Sequence, residues 1–314
     1  MRKIEVIILG TASSIPTKDR NSSSIVIIRE GEYFMFDCGE GTQRQMMKAR
    51  LGFNRPMKIF ITHLHGDHVL GLPGLLQTMS FLDRSRPLEI YGPRGLKKFI
   101  DCTLESLKVE LTFDLKVKQI VEGVVYERHD LIVRAKRGKH STLTYAYRFE
   151  EKERPGRFNV EKALALGVPR GPLWKKLQMG ETVKVRDKIV KPEDVLGPPR
   201  KGLSVGISGD TRPVDDFSEF FKDVDLLIFE ATYSDDHINI AKEYLHSTAR
   251  EAAGIAKLCN VKGLVLVHFS NRYKDASKLV KEASEIFPNV IEGKDLLRIE
   301  VTEEGIKLAS SSFL

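Results

Sequence analysis

The stretch "THLHGDHVLG" places His63, His65, Asp67 and His68 almost side by side. The spacing is too tight for one face of a helix, where donors recur every three or four residues. It suits a loop at the end of the apolar run "MKIFI", where four side chains converge and serve two ions. Imidazole and carboxylate without thiolate fit zinc in a catalytic site, with iron and manganese as alternatives. Two ions need further donors, and these must also sit at strand ends. His140 in "GKHSTLTY" comes just before an apolar run, and Asp210 in "VGISGDT" and His268 in "LVLVHFS" each close one. The Asp210 carboxylate, following Ser-Gly, has both oxygens available to bridge two ions.

The elements that must carry these residues are legible as short apolar runs. Strands are predicted over 3–10, 24–29, 32–37, 57–62 and 87–92, with helices over 42–50, 71–83 and 94–107. Further β structure is predicted near 114–121, 124–134 and 142–149. Strands 203–207, 224–229 and 263–267 then alternate with helices 213–221, 247–259 and 273–285, a pattern that suits sheets faced by helices. The opening "MRKIEVIILG" is expected to be the first strand, because Glu5 interrupts its apolar run. At 314 residues, 41% hydrophobic and 30% charged, the chain has material for one packed core and no apolar run long enough to span a bilayer. Cys38, Cys102 and Cys259 show no CxxC spacing and are expected to be free thiols in a cytoplasmic protein.

One segment breaks this text. Residues 152–201 interrupt apolar runs with Pro and Gly, hold the single tryptophan Trp174, and contain thirteen basic against six acidic residues, so they carry the whole net charge of +7. A balanced body with one concentrated basic segment is an electrostatic footprint for a polyanion. The segment is expected to be an insertion into a finished domain spanning 1–314, because the candidate ligands lie on both sides of it.

"HLHGDH" followed by lone His, Asp and His at these intervals resembles the metallo-β-lactamase superfamily. "LGTASSIPTKDRN", "FDCGEGTQRQ", "HGDHVLGLPG", "SGDTRP", "FEATY", "HST" and "HFSNRY" resemble its tRNase Z family, and the resemblance spans essentially the whole chain. It implies an α/β fold, a four-layer αβ/βα sandwich, with two Zn2+ per subunit. His63, His65 and His140 would hold one ion, Asp67, His68 and His268 the other, and Asp210 would bridge. It implies an endoribonuclease that removes the 3′ trailer from precursor tRNA, leaving a 3′-hydroxyl and a trailer 5′-phosphate. The alternative is another hydrolase of this fold, a phosphodiesterase or arylsulfatase. An RNA-binding protein with structural metals is disfavoured, since structural zinc sites prefer thiolates.

Within that family reading Asp67 orients the attacking water and accepts its proton. Thr248 and Glu251 have capping-box spacing, so a helix starts just after His246 and fixes it at the helix entrance. The "HST" resemblance makes His246 the proton donor to the leaving ribose oxygen, with Glu230 as a candidate to orient it. Lys18, Arg20, Asn21 and Arg272 are read as contacts to phosphate or the terminal nucleotides. The resemblance makes 152–201 a flexible arm that grips the folded part of tRNA. Arg154, Arg157, Arg170, Lys175 and Lys176 are its candidate phosphate partners, and Trp174 is expected to anchor its small core. Homodimers are common in the family, and no membrane partner is expected.

Overall fold

The computed structural model describes residues 3–309. Its strands are β1 (Lys3–Gly10), β2 (Ser24–Arg29), β3 (Glu32–Phe36), β4 (Met57–Phe60), β5 (Leu88–Gly92), β6 (Leu115–Gln119), β7 (Gly123–Glu127), β8 (Leu131–Arg137), β9 (Tyr145–Glu151), β10 (Val183–Val185), β11 (Lys188–Val190), β12 (Ser204–Ile207), β13 (Leu226–Glu230), β14 (Gly263–Val267), β15 (Val290–Glu292), β16 (Arg298–Thr302) and β17 (Gly305–Leu308). They form an eight-stranded sheet in the order β17-β16-β1-β2-β3-β4-β5-β6 and a seven-stranded sheet in the order β15-β14-β13-β12-β9-β8-β7, with β10-β11 a separate hairpin. The strands from β3 to β6 run parallel, as do those from β12 to β15.

Each sheet buries one face under helices and one against the other sheet. Ile7, Leu9, Met35 and Ile59 on the first sheet pack with Leu72, Leu75 and Met79 of the helix Gly71–Phe81 and with Leu96 and Ile100 of Leu96–Ser106. Leu227, Phe229, Leu264 and Leu266 on the second sheet pack with Ala252, Ala253 and Ala256 of the helix Ala249–Leu258 and with Leu279 and Ala283 of Ser277–Ser284. The alternate strand residues meet between the sheets as aromatic pairs: Phe34 with Phe149 at 4.9 Å between ring centroids, and Phe60 with Tyr147 at 5.7 Å. The period-two alternation of β-strand side chains thus supplies two cores from one sheet, giving four layers.

The chain folds as two compact units. The first runs through residue 127 and takes in 133–149 and the chain from 203 onward, and the second comprises 128–132 and 150–202. The second has its own apolar centre of Ala163, Val168, Leu177, Val183, Val190 and Val195. Trp174 packs there against Phe158 at 5.1 Å and donates its indole N–H to the Val168 carbonyl at 3.1 Å.

Two departures from the predicted elements have physical reasons. The helix expected over 213–221 is reduced to Phe217–Phe220, because Pro213, Asp215 and Asp216 favour a turn before it. Strands β15, β16 and β17 lie where no element was predicted. In "RIEVT" and "GIKL" charged residues alternate with few apolar ones, the pattern of strands at or near a sheet edge.

Phe60 is fully buried between Phe36, Tyr91 and Tyr147. Phe60→Ala should therefore destabilise the protein by about 3–5 kcal/mol, read as a lower denaturation midpoint in urea. A change under about 1 kcal/mol would mean that the inter-sheet aromatics are not a packed core.

Candidate metal centre

In parallel α/β sheets functional groups gather beyond the carboxyl ends of the strands. Here β4 ends at Phe60 before His63, β12 at Ile207 before Asp210, and β14 at Val267 before His268. A four-residue helix, Gly66–Val69, begins inside the histidine motif. His63 and His65 therefore precede it in extended chain while Asp67 and His68 sit in its first turn, which resolves how donors so close in sequence converge. Two glycines permit the close approach. Gly209 holds φ +59° just before Asp210, and a Cβ on Gly39 would lie 2.2 Å from the Asp67 carbonyl oxygen.

The structure brings together all seven residues read as ligands. His63, His65, His140 and Asp210 offer one donor atom each within 4.8 Å of one another, as do Asp67, His68, Asp210 and His268. Asp210 belongs to both groups. One of its oxygens faces His68 Nε2 at 3.4 Å, and the other faces Nε2 of His268 at 3.2 Å, His63 at 3.6 Å and His140 at 4.0 Å. His65 turns Nδ1 towards His140 Nε2 at 3.2 Å.

The other nitrogen of most of these rings is held from outside, which fixes tautomer and ring angle. Asp37, left-handed at φ 59°, accepts from His68 Nδ1 at 2.7 Å and from the Thr62 hydroxyl at 2.9 Å. That hydroxyl in turn accepts from His63 Nδ1 at 2.9 Å. The second sheet repeats the device. Glu230 accepts from His246 Nδ1 at 2.9 Å and from the Thr232 hydroxyl at 2.6 Å, and Thr232 accepts from His268 Nδ1 at 2.9 Å. His140 Nδ1 donates to the Leu245 carbonyl at 3.1 Å. Asp37, Thr62, Thr232 and the Leu245 carbonyl were missed in the sequence. The only signal for Asp37, Thr62 and Thr232 is a polar residue just past a strand, which is common where nothing is bound, and a backbone carbonyl such as that of Leu245 leaves no signal in residue type.

The residues present fit divalent cations. Nε2 of His63 and of His68 are buried without a hydrogen-bond partner, and both face Asp210. Burial, then the charge on His68, pulls His63 well below the usual histidine range; burial is also the main cause for His65 and His140, so these three imidazoles present lone pairs. His68 is opposed by burial but surrounded by Asp210, Asp37 and Asp67, which raise it well above that range. Asp67 and Asp210 are held ionised: burial opposes this in both, and neighbouring histidines overcome it.

His246 stands at the helix entrance expected for it, after Leu245 at φ 58°. Thr248 caps Ala249–Leu258 in a reciprocal box with Glu251. Arg212 donates to the His246 carbonyl at 2.6 Å and to Glu251 at 2.7 Å. Burial lowers the His246 pKa, but Glu230 more than offsets it and pushes it to about 9.

The expected substrate contacts divide. Lys18 is exposed at the tip of a turn closed by Thr17 and Arg20. Arg272 is exposed, with its guanidinium 5.1 Å from the Tyr233 ring. Arg20 and Asn21 are engaged within the protein. Arg20 binds Thr11, Gly293 and Glu292, and Asn21 Nδ2 donates to the Glu40 carbonyl at 2.8 Å. In the second unit Arg157, Lys175 and Lys176 are exposed, whereas Arg154 is half-buried and faces Glu151 at 3.7 Å.

Comparison with known proteins identifies the architecture first. The metallo-β-lactamase fold protein YhfI from Bacillus subtilis superposes with a TM-score of 0.66 over 95% of this chain and 99% of its own at 18% identity, which defines the fold class. A family model described as Anti-Pycsar protein Apyc1 matches residues 4–148, a span that holds the histidine motif and His140 but neither Asp210 nor His268. Ribonuclease Z of Nitrosopumilus maritimus is 47% identical over 298 residues, covering 95% of this chain and all of that one. The short form of human tRNase Z superposes with a TM-score of 0.70 at 32% identity over 94% of this chain and 98% of its own. The chain belongs to the ribonuclease Z family.

Thr232→Val keeps the shape of Thr232 but removes the hydroxyl that holds His268 Nδ1. It should weaken divalent-metal binding roughly 10–100-fold in competition with a chromophoric chelator. Unchanged affinity would show that the Glu230–Thr232 relay does not orient His268.

Proposed function

We propose that this chain is a zinc-dependent endoribonuclease that removes the 3′ trailer from precursor tRNA, leaving a tRNA 3′-hydroxyl and a trailer 5′-phosphate. The observation that carries this reading is the pair of four-donor groups sharing Asp210 in a chain of the ribonuclease Z family. His63, His65 and His140 would hold one zinc ion, Asp67, His68 and His268 the other, with Asp210 common to both. When bound, such a pair supplies Lewis acidity that makes a water nucleophilic near neutral pH and offsets charge on the phosphoryl oxygens.

The chain's own groups do the rest. Asp67 has one oxygen held by the Ser14 amide at 2.8 Å, and its other oxygen orients the attacking water and takes its proton. The leaving ribose 3′-oxygen is a poor leaving group and needs a proton. His246 has its Nδ1 bound to Glu230, which favours its protonated form, and its Nε2–H is the proton delivered. Lys18 and Arg272 are the exposed cations for phosphates beside the cut.

We assign substrate selection to residues 152–201 as a tRNA-binding arm. An independent apolar centre and the concentration of positive charge support this. Arg157, Lys175 and Lys176 are its exposed phosphate partners, in keeping with recognition of A-form RNA by shape and backbone. Among the described residues no helix is long and apolar enough to cross a membrane. We further propose a cytoplasmic homodimer, supported by the free thiols and by exposed Phe81, Leu82 and Leu107.

The test is a precursor tRNA with a short 3′ trailer, its ends mapped at nucleotide resolution. A single cut near the discriminator base is expected. Replacing 152–201 by a short linker should lower kcat/KM on this RNA roughly a hundredfold, through lost phosphate contacts, while sparing bis(p-nitrophenyl) phosphate hydrolysis. Equal loss of both activities would remove the arm assignment. Intact diester hydrolysis with no RNA cut would remove the tRNA assignment.

A further inference from the structure

We infer that Arg20 is a positioning residue for Asp67 and His268, acting through the loop 11–22, and not a phosphate contact. The inference rests on the reading that those two residues share an ion. Arg20 Nη1 donates to the Thr11 hydroxyl and to the Gly293 carbonyl, each at 2.9 Å, and Nη2 to Glu292 at 3.0 Å. Its guanidinium lies 4.6 Å from the centre of the Phe269 ring. The side chain is 15% exposed, so little of it faces a ligand in solution.

Behind this fork stands Asp295, which takes one donor from each end of the loop and one from the helix Thr42–Lys48. It accepts from the Thr11 hydroxyl at 2.8 Å, the Asn21 amide at 2.7 Å and Gln45 Nε2 at 2.9 Å. Both ends of the loop are thereby fixed to the turn between β15 and β16. Two links run from the fixed loop to the centre. The Ser14 amide donates to Asp67 Oδ2 at 2.8 Å, with Ser14 itself at φ 55°, a conformation that a non-glycine residue keeps only when its surroundings impose it. The Phe269 amide donates to the Thr11 carbonyl at 2.9 Å and the Ser13 amide to the Phe269 carbonyl at 3.0 Å. These bonds hold the residue next to His268, which is also left-handed at φ 60°.

Lysine at position 20 would keep the charge but could not reach three acceptors while covering an aromatic ring, because only guanidinium has a rigid planar set of donors. That difference separates the two roles. Arg20→Lys, Arg20→Ala and Asp295→Asn would be titrated with zinc against a chelator, with bound zinc per chain measured by mass spectrometry. KM and kcat would be recorded on precursor tRNA and on bis(p-nitrophenyl) phosphate. All three variants should bind the zinc proposed for Asp67 and His268 roughly tenfold less tightly, with Arg20→Lys no better than Arg20→Ala. Parental zinc affinity in all three, with a raised KM for RNA that Arg20→Lys restores, would overturn the inference. If Arg20→Ala loses its fold by circular dichroism, Arg20→Lys and Asp295→Asn decide alone. The zinc readout needs no RNA, so a protein that binds zinc as expected but leaves precursor tRNA uncut would refute the substrate and leave the clamp standing.

Discussion

Asp210 is a buried carboxylate faced by the Nε2 atoms of four histidines. A buried ion is expensive unless opposite charge and hydrogen bonds compensate for lost water. In this fold the compensation must come from both halves, because His63 and His68 follow the first sheet while His268 follows the second. The carboxylate is the point at which the two sheets' strand ends must agree in position. The inter-sheet aromatics, the glycines at 39 and 209, and the left-handed backbone at Asp37 and His268 all serve that agreement.

The surrounding polar layer has a repeated logic. Asp37, just past β3, and Glu230, the last residue of β13, each bind one histidine directly and a second through a threonine hydroxyl. The outcomes differ. Asp37 serves His68 and His63, both donors to the metal groups. Glu230 serves His268, a donor, and His246, which lies outside the two groups that share Asp210. One arrangement thus holds two candidate ligands on one side, and on the other a candidate ligand together with His246. The first stretch of the sequence to suggest chemistry supplies only half of this centre.

The legible part of the sequence was the part in which residue type is informative alone. Histidines and aspartates beside apolar strands stood out, and the helix after His246 followed from Thr248 and Glu251. Asp37, Thr62 and Thr232 were not legible, since a polar residue past a strand acquires its role from what the fold sets next to it. Arg20 shows the converse: in "PTKDRN" it reads as one of a run of free charges, while two of its acceptors, Glu292 and Gly293, lie far along the chain. The strands β15 to β17 escaped notice because their charged residues hide a short apolar alternation, although β16 pairs with β1 one strand in from the edge of the first sheet.

If Asp210 is shared by two ions, Asp210→Asn should lose both, and counting the metal in that variant decides it. The amide keeps the size of the side chain but removes its charge and one acceptor oxygen. Zinc bound per folded chain would be measured by mass spectrometry after equilibration at fixed free zinc, beside the parent protein. Loss of both ions together is the expected result. Retention of one ion at parental affinity would contradict the claim, because Asp210 would then serve one group only.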